Sequence, residues 1–360
     1  MFKKLPGSFL FVTALGLCIQ QPSGLQPFHT DQQNLLVYYD TAGALHRVKT
    51  VADWEIRRAQ ILHNMQVVMG PLSAPSNAPL DIQIESIAEM PTVRREKITF
   101  QGVDGDRVPA YLFIPKLANG VKVPGILCLH ETTPVGMGSP AGLGGRPNRH
   151  YALELAERGF VTLAPDYPNF GDYHFDPYAH GYASATMKGI SNHMRAVDLL
   201  QSLPEVNPDQ IGVIGHSLGG HNSMFVAVFD ERIKAIVTSC GFTSFAKYKG
   251  GNLAGWSHKG YMPRIAEVYH ANPAEMPFDF TEVLAALAPR LVFINAPTGD
   301  DNFDVSGVKD CVAAALPVYR NIFKAARHLQ VVYPPGGHDF PPQVREAAYK
   351  FLERALRMSR

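Results

Sequence analysis

A serine framed by two glycines is the clearest chemical signal in this chain. Gly215, Ser217 and Gly219 form the pattern Gly-x-Ser-x-Gly, which is typical of a serine nucleophile on a sharp turn between a strand and a helix. The glycines suit such a turn, because larger side chains would clash where strand and helix approach each other. An apolar run at 211–214 precedes the pattern, and a helix-compatible run at 222–228 follows it. This context favours a nucleophile over the alternative, a glycine-rich turn with an ordinary serine.

A nucleophilic serine needs a base and a carboxylate that orients the base. His338 is the preferred base among fourteen histidines, since it follows the last predicted strand and keeps the chain order serine, acid, histidine. The acid is expected in the loop 297–304, which follows another predicted strand. Asp300 is the first choice because it is reached soonest after that strand, Asp301 is the second and Asp304 the third. We expect the other two carboxylates to be solvated or to cap the next helix.

Two backbone amides are expected to stabilise the oxyanion that forms when a serine attacks a carbonyl group. Leu218 begins the helix after the nucleophile, where free amides and the positive end of the helix dipole face the serine oxygen. The second amide is expected from the loop after the strand at 125–130, with Thr132 as the candidate. The predicted site therefore consists of Ser217, His338, Asp300, Leu218 and Thr132.

The elements that must hold these residues follow a regular order from residue 95 onward. Two strand-like runs joined by an Asp-Gly turn come first, and apolar strands then alternate with helical patterns. Six such strands are predicted, at 125–130, 160–165, 211–214, 233–240, 290–296 and 329–333. Near-continuous apolar strands with helices between them indicate a mostly parallel sheet that is covered on both faces. An antiparallel hairpin followed by six strands and their helices is the order of the α/β-hydrolase fold.

The chain is predicted to contain one large domain with two attachments. Residues 95–358 form the predicted catalytic domain. Within it, the segment 241–289 is too long for a simple connection and is predicted to form a small cap over the site. Residues 28–90 hold a helical pattern at 51–70 and a proline-rich linker, and they are predicted to form an N-terminal appendage packed on the domain.

The first residues have the composition of a targeting segment. Two lysines precede a mostly apolar run at 5–19, and small residues follow it, which predicts a signal peptide over 1–24 and export to the periplasm or the medium. Cys18 would allow a lipoprotein, but Leu17 stands where such sites require a small residue. The net charge of +1 and the absence of an internal bilayer-length apolar run predict no nucleic-acid partner and no membrane span in the mature chain.

Cleavage of that peptide would leave three cysteines, Cys128, Cys240 and Cys311. Cys128 and Cys240 are predicted on strands separated by the nucleophile strand, which places them roughly 9–10 Å apart. A disulfide needs about 7 Å or less between Cα atoms, so buried free thiols are expected. The cysteine spacing and the acidic, histidine-containing loop at 166–180 match no metal-ligand pattern, and we predict no metal and no cofactor.

Six short motifs together carry a family resemblance. They are HETT at 130–133, APDYP at 164–168, FGD at 170–172, GHSLGG at 215–220, DDNF at 300–303 and GHDF at 337–340. Over about residues 95–358 the chain resembles the dienelactone-hydrolase and acetylxylan-esterase branch of the α/β-hydrolases. The resemblance implies Ser217 as nucleophile, Asp300 as acid, His338 as base, and Thr132 and Leu218 as oxyanion amides. Dienelactone hydrolases carry a cysteine where this chain has Ser217, which favours a serine esterase.

The leading hypothesis is a secreted serine carboxylic-ester hydrolase that forms an acyl-enzyme, with carbohydrate or aromatic-acid esters as substrates. One alternative is a serine peptidase of the prolyl-oligopeptidase type, although residues 28–90 are too short for the N-terminal propeller of that group. Another is a non-catalytic binding protein on the same scaffold, which we would expect to have lost part of the triad. The sequence does not decide the oligomeric state.

The predicted cap has an unusual composition. Six cations and no carboxylate occur between Arg232 and Arg264, and five aromatic residues accompany them: Phe242, Phe245, Tyr248, Trp256 and Tyr261. If these side chains line the site, aromatic faces suit sugar rings and the cations favour anionic esters. The alternative is a solvated cap whose aromatic residues form its own small core.

Overall fold

The computed structural model describes residues 31–117 and 120–357. The predicted signal peptide, 1–24, lies outside these residues. The described N-terminal part contains two short antiparallel strands, β1 (Val37–Tyr39) and β2 (Leu45–Arg47), and the helix α1 (Val51–Met69). Thr50 caps α1 by accepting a hydrogen bond from the Asp53 amide, and the Asp53 side chain accepts one from the Thr50 amide. This reciprocal pair satisfies two amides that a helix start otherwise leaves free.

The centre of the molecule is a nine-stranded sheet. In chain order its strands are β3 (Gln83–Glu89), β4 (Val93–Gln101), β5 (Arg107–Pro115), β6 (Val123–Leu129), β7 (Val161–Pro165), β8 (Val206–His216), β9 (Ile233–Ser239), β10 (Leu291–Asn295) and β11 (Leu329–Val332). Across the sheet the order is β11-β10-β9-β8-β6-β7-β5-β4-β3. The six strands from β11 to β7 are parallel, while β5, β4 and β3 are antiparallel to their neighbours. The predicted hairpin followed by six parallel strands is present.

The strand β3 was not predicted to belong to this sheet. It lies in the part of the chain that was assigned to the appendage 28–90, so the sheet begins before the predicted boundary at residue 95. Its residues are mostly exposed, and β3 is an edge strand with one neighbour. A sequence pattern of alternating residues does not reveal which strand will pair with it.

Helices cover both faces of the sheet. Alternate residues of β6 point to opposite sides: Ile126 and Cys128 join one core, and Leu127 and Leu129 join the other. The helices in chain order are α2 (Tyr151–Glu157), α3 (Ala185–Ser202), α4 (Leu218–Phe229), α5 (Arg264–Glu267), α6 (Phe280–Ala286), α7 (Val305–Pro317) and α8 (Pro342–Arg357). α2 and α8 pack on the first face, and α3, α4 and α7 on the second. Burial on both faces explains the near-continuous apolar sequences of the parallel strands.

The segment between β9 and β10 contains only short elements, namely α5, α6 and three 3₁₀ turns. Within the described residues, no helix is both long and apolar enough to cross a bilayer. Cys128, Cys240 and Cys311 are buried free thiols, as predicted, and β8 does separate the strand of Cys128 from the strand that ends before Cys240.

Candidate active site

Ser217 lies on the turn between β8 and α4. Its backbone has φ 54° and ψ −117°, a conformation that costs a non-glycine residue about 1–3 kcal/mol. The flanking glycines make this turn possible. A Cβ atom at Gly215 would lie 2.1 Å from the Gly219 carbonyl oxygen, and one at Gly219 would lie 1.9 Å from the Leu129 carbonyl oxygen. The Ser217 amide donates to the Ser239 carbonyl at 2.9 Å, which ties the turn to β9.

His338 lies on the loop between β11 and α8, next to Ser217. Its Nε2 atom is 2.9 Å from Ser217 Oγ, and its Nδ1 atom is 2.9 and 3.0 Å from the two carboxylate oxygens of Asp300. A carboxylate only accepts hydrogen bonds, so Nδ1 carries the proton and Nε2 is free to accept the serine proton. The side chain of His338 is 21% exposed and that of Asp300 only 1%, which leaves the base open to a substrate while the acid is shielded.

Asp300 follows β10 and is held by its own loop. It accepts hydrogen bonds from the amides of Asn302 at 2.8 Å and Phe303 at 3.0 Å. Burial acts to raise the pKa of Asp300, but the bond to His338 and these two amides outweigh burial and hold the pKa below its usual range. Asp301 is exposed, and Asp304 caps α7 by accepting from the Ser306 amide at 2.7 Å. Of the three predicted carboxylates, the structure brings Asp300 to His338.

The two predicted oxyanion residues flank the serine. Leu218 is the first residue of α4, and Thr132 follows β6 and faces the same cavity as Ser217. The Thr132 loop is anchored by His130, whose Nε2 accepts from the Tyr167 amide at 3.0 Å. The other ring nitrogen of His130 therefore carries its proton and donates to the Glu131 carbonyl at 2.7 Å.

A cavity of about 190 Å³ adjoins Ser217. The segment between β9 and β10 supplies much of its wall, through Tyr248, Trp256 and Tyr261. Tyr261 also shares a hydrogen bond of 2.7 Å with Thr132 Oγ1, so this segment is tied to the oxyanion loop. Phe242 and Phe245 instead pack against Phe280 in the core. Some aromatic residues of the cap therefore line the site, and others form a small core, so each of the two interpretations holds for part of the set.

The cations of the same segment do not line the cavity. Among the described residues, its wall contains no Asp, Glu, Lys or Arg. Arg232 pairs with Asp198 and Asp230, and Lys249 donates to the Asp301 carbonyl. The cavity wall therefore gives no direct support to the expected preference for anionic esters, which stays a prediction. Arg232 lies before β9 and is neutralised by carboxylates, whereas Lys249 binds only a backbone carbonyl.

Two histidines near the serine were missed by the sequence analysis. His221 lies one helical turn after Ser217 on α4, is buried and contributes to the cavity wall. The i, i+4 spacing from the nucleophile could have identified it. His216 precedes the serine, and its Nδ1 lies 2.9 Å from Ser239 Oγ. Its ring centroid is 4.9 Å from that of His338, so it packs directly behind the base.

One group of side chains in the described part of the chain combines metal-ligand types at close range. Ligand atoms of His216, Cys240 and His338 all lie within 4.8 Å of one another. Both ring nitrogens of His338 are already engaged, by Ser217 and Asp300. A metal ion here would have to break that chain of hydrogen bonds, so we assign no metal role to the group.

Comparison with known proteins finds a matching family model and related sequences. A family model described as "Glucuronyl esterase, fungi" matches residues 172–322. An uncharacterized protein of Pseudomonas aeruginosa is 33% identical over 155 residues, which cover 41% of this chain and 37% of that protein. A Bacillus subtilis protein named as a hydrolase, YtaP, is 26% identical over 78% of this chain and 95% of its own length.

Solved structures give the same picture of the fold. A glucuronoyl esterase from Solibacter usitatus superposes with a TM-score of 0.69 at 18% identity, over 89% of this chain and 97% of that one. Acetyl xylan esterase 1 from Thermoanaerobacterium superposes with a TM-score of 0.57 at 19% identity, over 84% of this chain and 94% of that one. The predicted α/β-hydrolase fold is confirmed.

Proposed function

We propose that this protein is a serine carboxylic-ester hydrolase that acts on carbohydrate esters. One observation carries the proposal: an unbroken chain of hydrogen bonds runs from Ser217 Oγ through His338 to the buried carboxylate of Asp300. This arrangement polarises a serine hydroxyl without any cofactor. Because Asp300 keeps its charge, it can stabilise the imidazolium that forms when His338 takes the serine proton.

The reaction has two halves. In the first, Ser217 Oγ attacks the ester carbonyl as its proton moves to His338 Nε2, and the amides of Leu218 and Thr132 stabilise the oxyanion. The tetrahedral intermediate expels the alcohol, which takes the proton from His338, and an acyl-serine remains. In the second half, His338 removes a proton from water, and the resulting attack releases the carboxylic acid and restores Ser217.

The substrate class rests on the cavity and on the comparisons. A cavity of about 190 Å³ lined by aromatic rings and uncharged polar groups suits a small, neutral substrate such as one sugar ring with a short ester. The matches to proteins named as glucuronoyl and acetyl xylan esterases support an ester-hydrolysing enzyme and point to the same class. Export through the segment 1–24 remains a prediction.

The test compares four substrates with one protein preparation: 4-nitrophenyl acetate, an acetylated xylose glycoside, the methyl ester of a glucuronic acid glycoside, and a proline-containing peptide 4-nitroanilide. We expect hydrolysis of 4-nitrophenyl acetate and at least one sugar ester, and no cleavage of the anilide. Ser217→Ala is the control for contaminating activity. Anilide cleavage without ester hydrolysis would favour the peptidase alternative, and no turnover of any substrate would favour a binding protein.

A further inference from the structure

The backbone of the His338 loop, residues 333–341, is fixed by side chains from other elements. Three consecutive carbonyl groups, at positions 338, 339 and 340, each accept a hydrogen bond from outside the loop. In that order the donors are Arg149 at 3.3 Å, Asn295 at 2.9 Å and Arg345 at 2.9 Å. Arg149 precedes α2, Asn295 ends β10 and Arg345 lies on α8. The loop that carries the base is therefore held from three places in the fold.

Arg149 makes a second attachment, an ion pair with the residue that follows the base. Its Nη1 atom lies 2.7 Å from one carboxylate oxygen of Asp339, and Asn148 donates to the other oxygen at 2.7 Å. Burial would raise the pKa of Asp339, but hydrogen bonds from Arg149, the Phe340 amide and Asn148 hold it below its usual range. The carboxylate is therefore charged at neutral pH. One guanidinium thus binds this carboxylate and the His338 carbonyl with two N–H groups in a fixed geometry.

We propose that Arg149 and Asp339 are positioning residues, which align His338 for transfer of the serine proton. The inference rests on the proposed function and deepens it. The His338 ring must meet two partners at once, since its Nε2 lies 2.9 Å from Ser217 Oγ and its Nδ1 lies 2.9 Å from Asp300. Misplacing a reacting group by about 1 Å can cost about 10²-fold in rate. The ion pair keeps the backbone of the base from shifting between its two partners.

The place of Arg149 in the chain also links the base to the oxyanion loop. The connection between β6 and α2, residues 130–150, contains both Thr132 and Arg149. The described wall of the cavity includes Thr132 but neither Arg149 nor Asp339. Loss of the ion pair should therefore slow the chemical step and leave the binding of substrate unchanged.

Arg195 on α3 provides a matched control. Its side chain is also buried, pairs with one carboxylate, that of Asp198, at 2.8 Å, and donates to backbone carbonyls, including that of Ala78 at 2.9 Å. It belongs neither to the triad nor to the described wall of the cavity. Arg195→Met and Arg149→Met therefore remove the same kind of buried ion pair, but only the second change touches the His338 loop.

The first experiment measures kcat and KM for 4-nitrophenyl acetate, corrected for the folded fraction from circular dichroism. Arg149→Met should lower kcat about 10²-fold with little change in KM, and Asp339→Asn should lower kcat about tenfold. The double variant should lie within about twofold of Arg149→Met, because the two residues act as a unit. Arg195→Met should keep the kcat of wild type. Normal kcat in Arg149→Met, an equal loss in Arg195→Met, or additive losses in the double variant would overturn the inference.

The second experiment observes the position of the base without turnover. The proton between His338 Nδ1 and Asp300 gives a low-field NMR resonance, which its loss in Asp300→Asn identifies. The resonance should broaden in Arg149→Met and in Asp339→Asn, because a displaced ring exposes this proton to exchange with water, and it should stay sharp in Arg195→Met. The Asp339 side chain is 41% exposed, so Asp339→Asn tests the inference even if Arg149→Met does not fold. An unchanged resonance in Asp339→Asn contradicts the inference. Broadening in both variants of a protein whose wild type hydrolyses no ester would support the positioning role and refute the proposed function alone.

Discussion

Ser217 makes the most direct residue-scale prediction, because the proposed chemistry forms its covalent bond there. Ser217→Ala should lower kcat/KM for 4-nitrophenyl acetate by about 10⁴-fold or more. The fold should survive, since alanine can adopt the same backbone conformation and only the contact with His338 is lost. Ester turnover is measured beside the circular dichroism spectrum and the urea midpoint. Activity retained by a normally folded variant would be incompatible with the mechanism.

Asp300 and Asp301 provide a matched pair at the same scale. Asp300→Asn should lower kcat by about 10³–10⁴-fold, because an amide neither holds the His338 proton on Nδ1 nor stabilises the imidazolium. Asp301→Asn, one residue further along the same loop, should stay within about twofold of wild type, because its side chain is exposed. Steady-state kinetics of both variants decide the assignment. Loss of activity in Asp301→Asn, with activity retained in Asp300→Asn, would assign the role of the acid to Asp301 instead.

The residues of the site differ in how far a sequence can reveal them. Ser217, His338 and Asp300 could be placed from the order of motifs and strands, because the fold sends the ends of parallel strands to one edge. Tyr261 could not be assigned a role, since its hydrogen bond to Thr132 joins positions 129 residues apart. The charge of the cap could be counted from its own residues, but not the composition of the cavity wall, which in the described residues contains no Asp, Glu, Lys or Arg.

At the scale of elements, the cap of α6 carries a pH-dependent prediction. Asp279 accepts hydrogen bonds from the Phe245 and Phe280 amides, and burial raises its pKa to about 7. In the unfolded chain an Asp titrates near about 3.9. Between these values the folded state binds more protons, so the contribution of Asp279 to stability falls as pH rises. Asp279→Asn caps a helix equally well and does not titrate. The free energy of unfolding of this variant, relative to that of wild type, should therefore rise by on the order of 3 kcal/mol from pH 5 to pH 8.

Urea unfolding at both pH values measures this difference. Asp304→Asn is the matched control, since Asp304 also caps a helix, but its pKa is lowered, chiefly by hydrogen bonds from Ser306. A lowered pKa means that the carboxylate stabilises the folded state above pH 4, so this variant should show no gain from pH 5 to pH 8. If Asp279→Asn behaves like the control, burial does not raise the pKa of Asp279.

Regular elements were predicted better than irregular ones. The parallel strands follow apolar runs, and the structure has them close to the predicted positions, as it has α4 after the nucleophile turn. The exposed edge strand β3 was predicted in the appendage but belongs to the central sheet, because the residues of β3 do not show that they pair with β4. The turns between β9 and β10 have no period, and their arrangement depends on packing against α1, α4 and α7.

On the scale of the whole molecule, α1 is joined to the segment that walls the cavity. Arg57 on α1 forms a fully buried ion pair with Glu282 on α6. Asn64 donates to the Pro277 carbonyl at 2.9 Å, and Arg264 donates back to the Val67 carbonyl at 2.8 Å. We propose that α1, which lies in the segment 28–90 assigned to an appendage by sequence, acts as a support for the cap.

Breaking the buried pair should therefore weaken the entire molecule. Arg57→Met leaves Glu282 buried without its partner and should destabilise the protein by about 3–5 kcal/mol, in a single unfolding transition. Urea unfolding is followed by Trp54 fluorescence in the Trp256→Phe background and by Trp256 fluorescence in the Trp54→Phe background. The exposed Arg47 provides the control Arg47→Met, which should change stability by less than about 0.5 kcal/mol. Separate midpoints for the two tryptophans would show that α1 and the cap unfold independently.

The position of His338 also has a consequence for biosynthesis. A ribosome releases the chain from its N-terminus, and domains fold as their residues emerge. The nucleophile turn after β8 can form while more than a hundred residues are still to be translated, but the base arrives on the loop after β11, the last strand to join the sheet. A nascent chain therefore carries an inert serine. On the proposed mechanism, hydrolytic activity begins only when β11 and the His338 loop have docked, so a translation product that ends before them cannot hydrolyse esters.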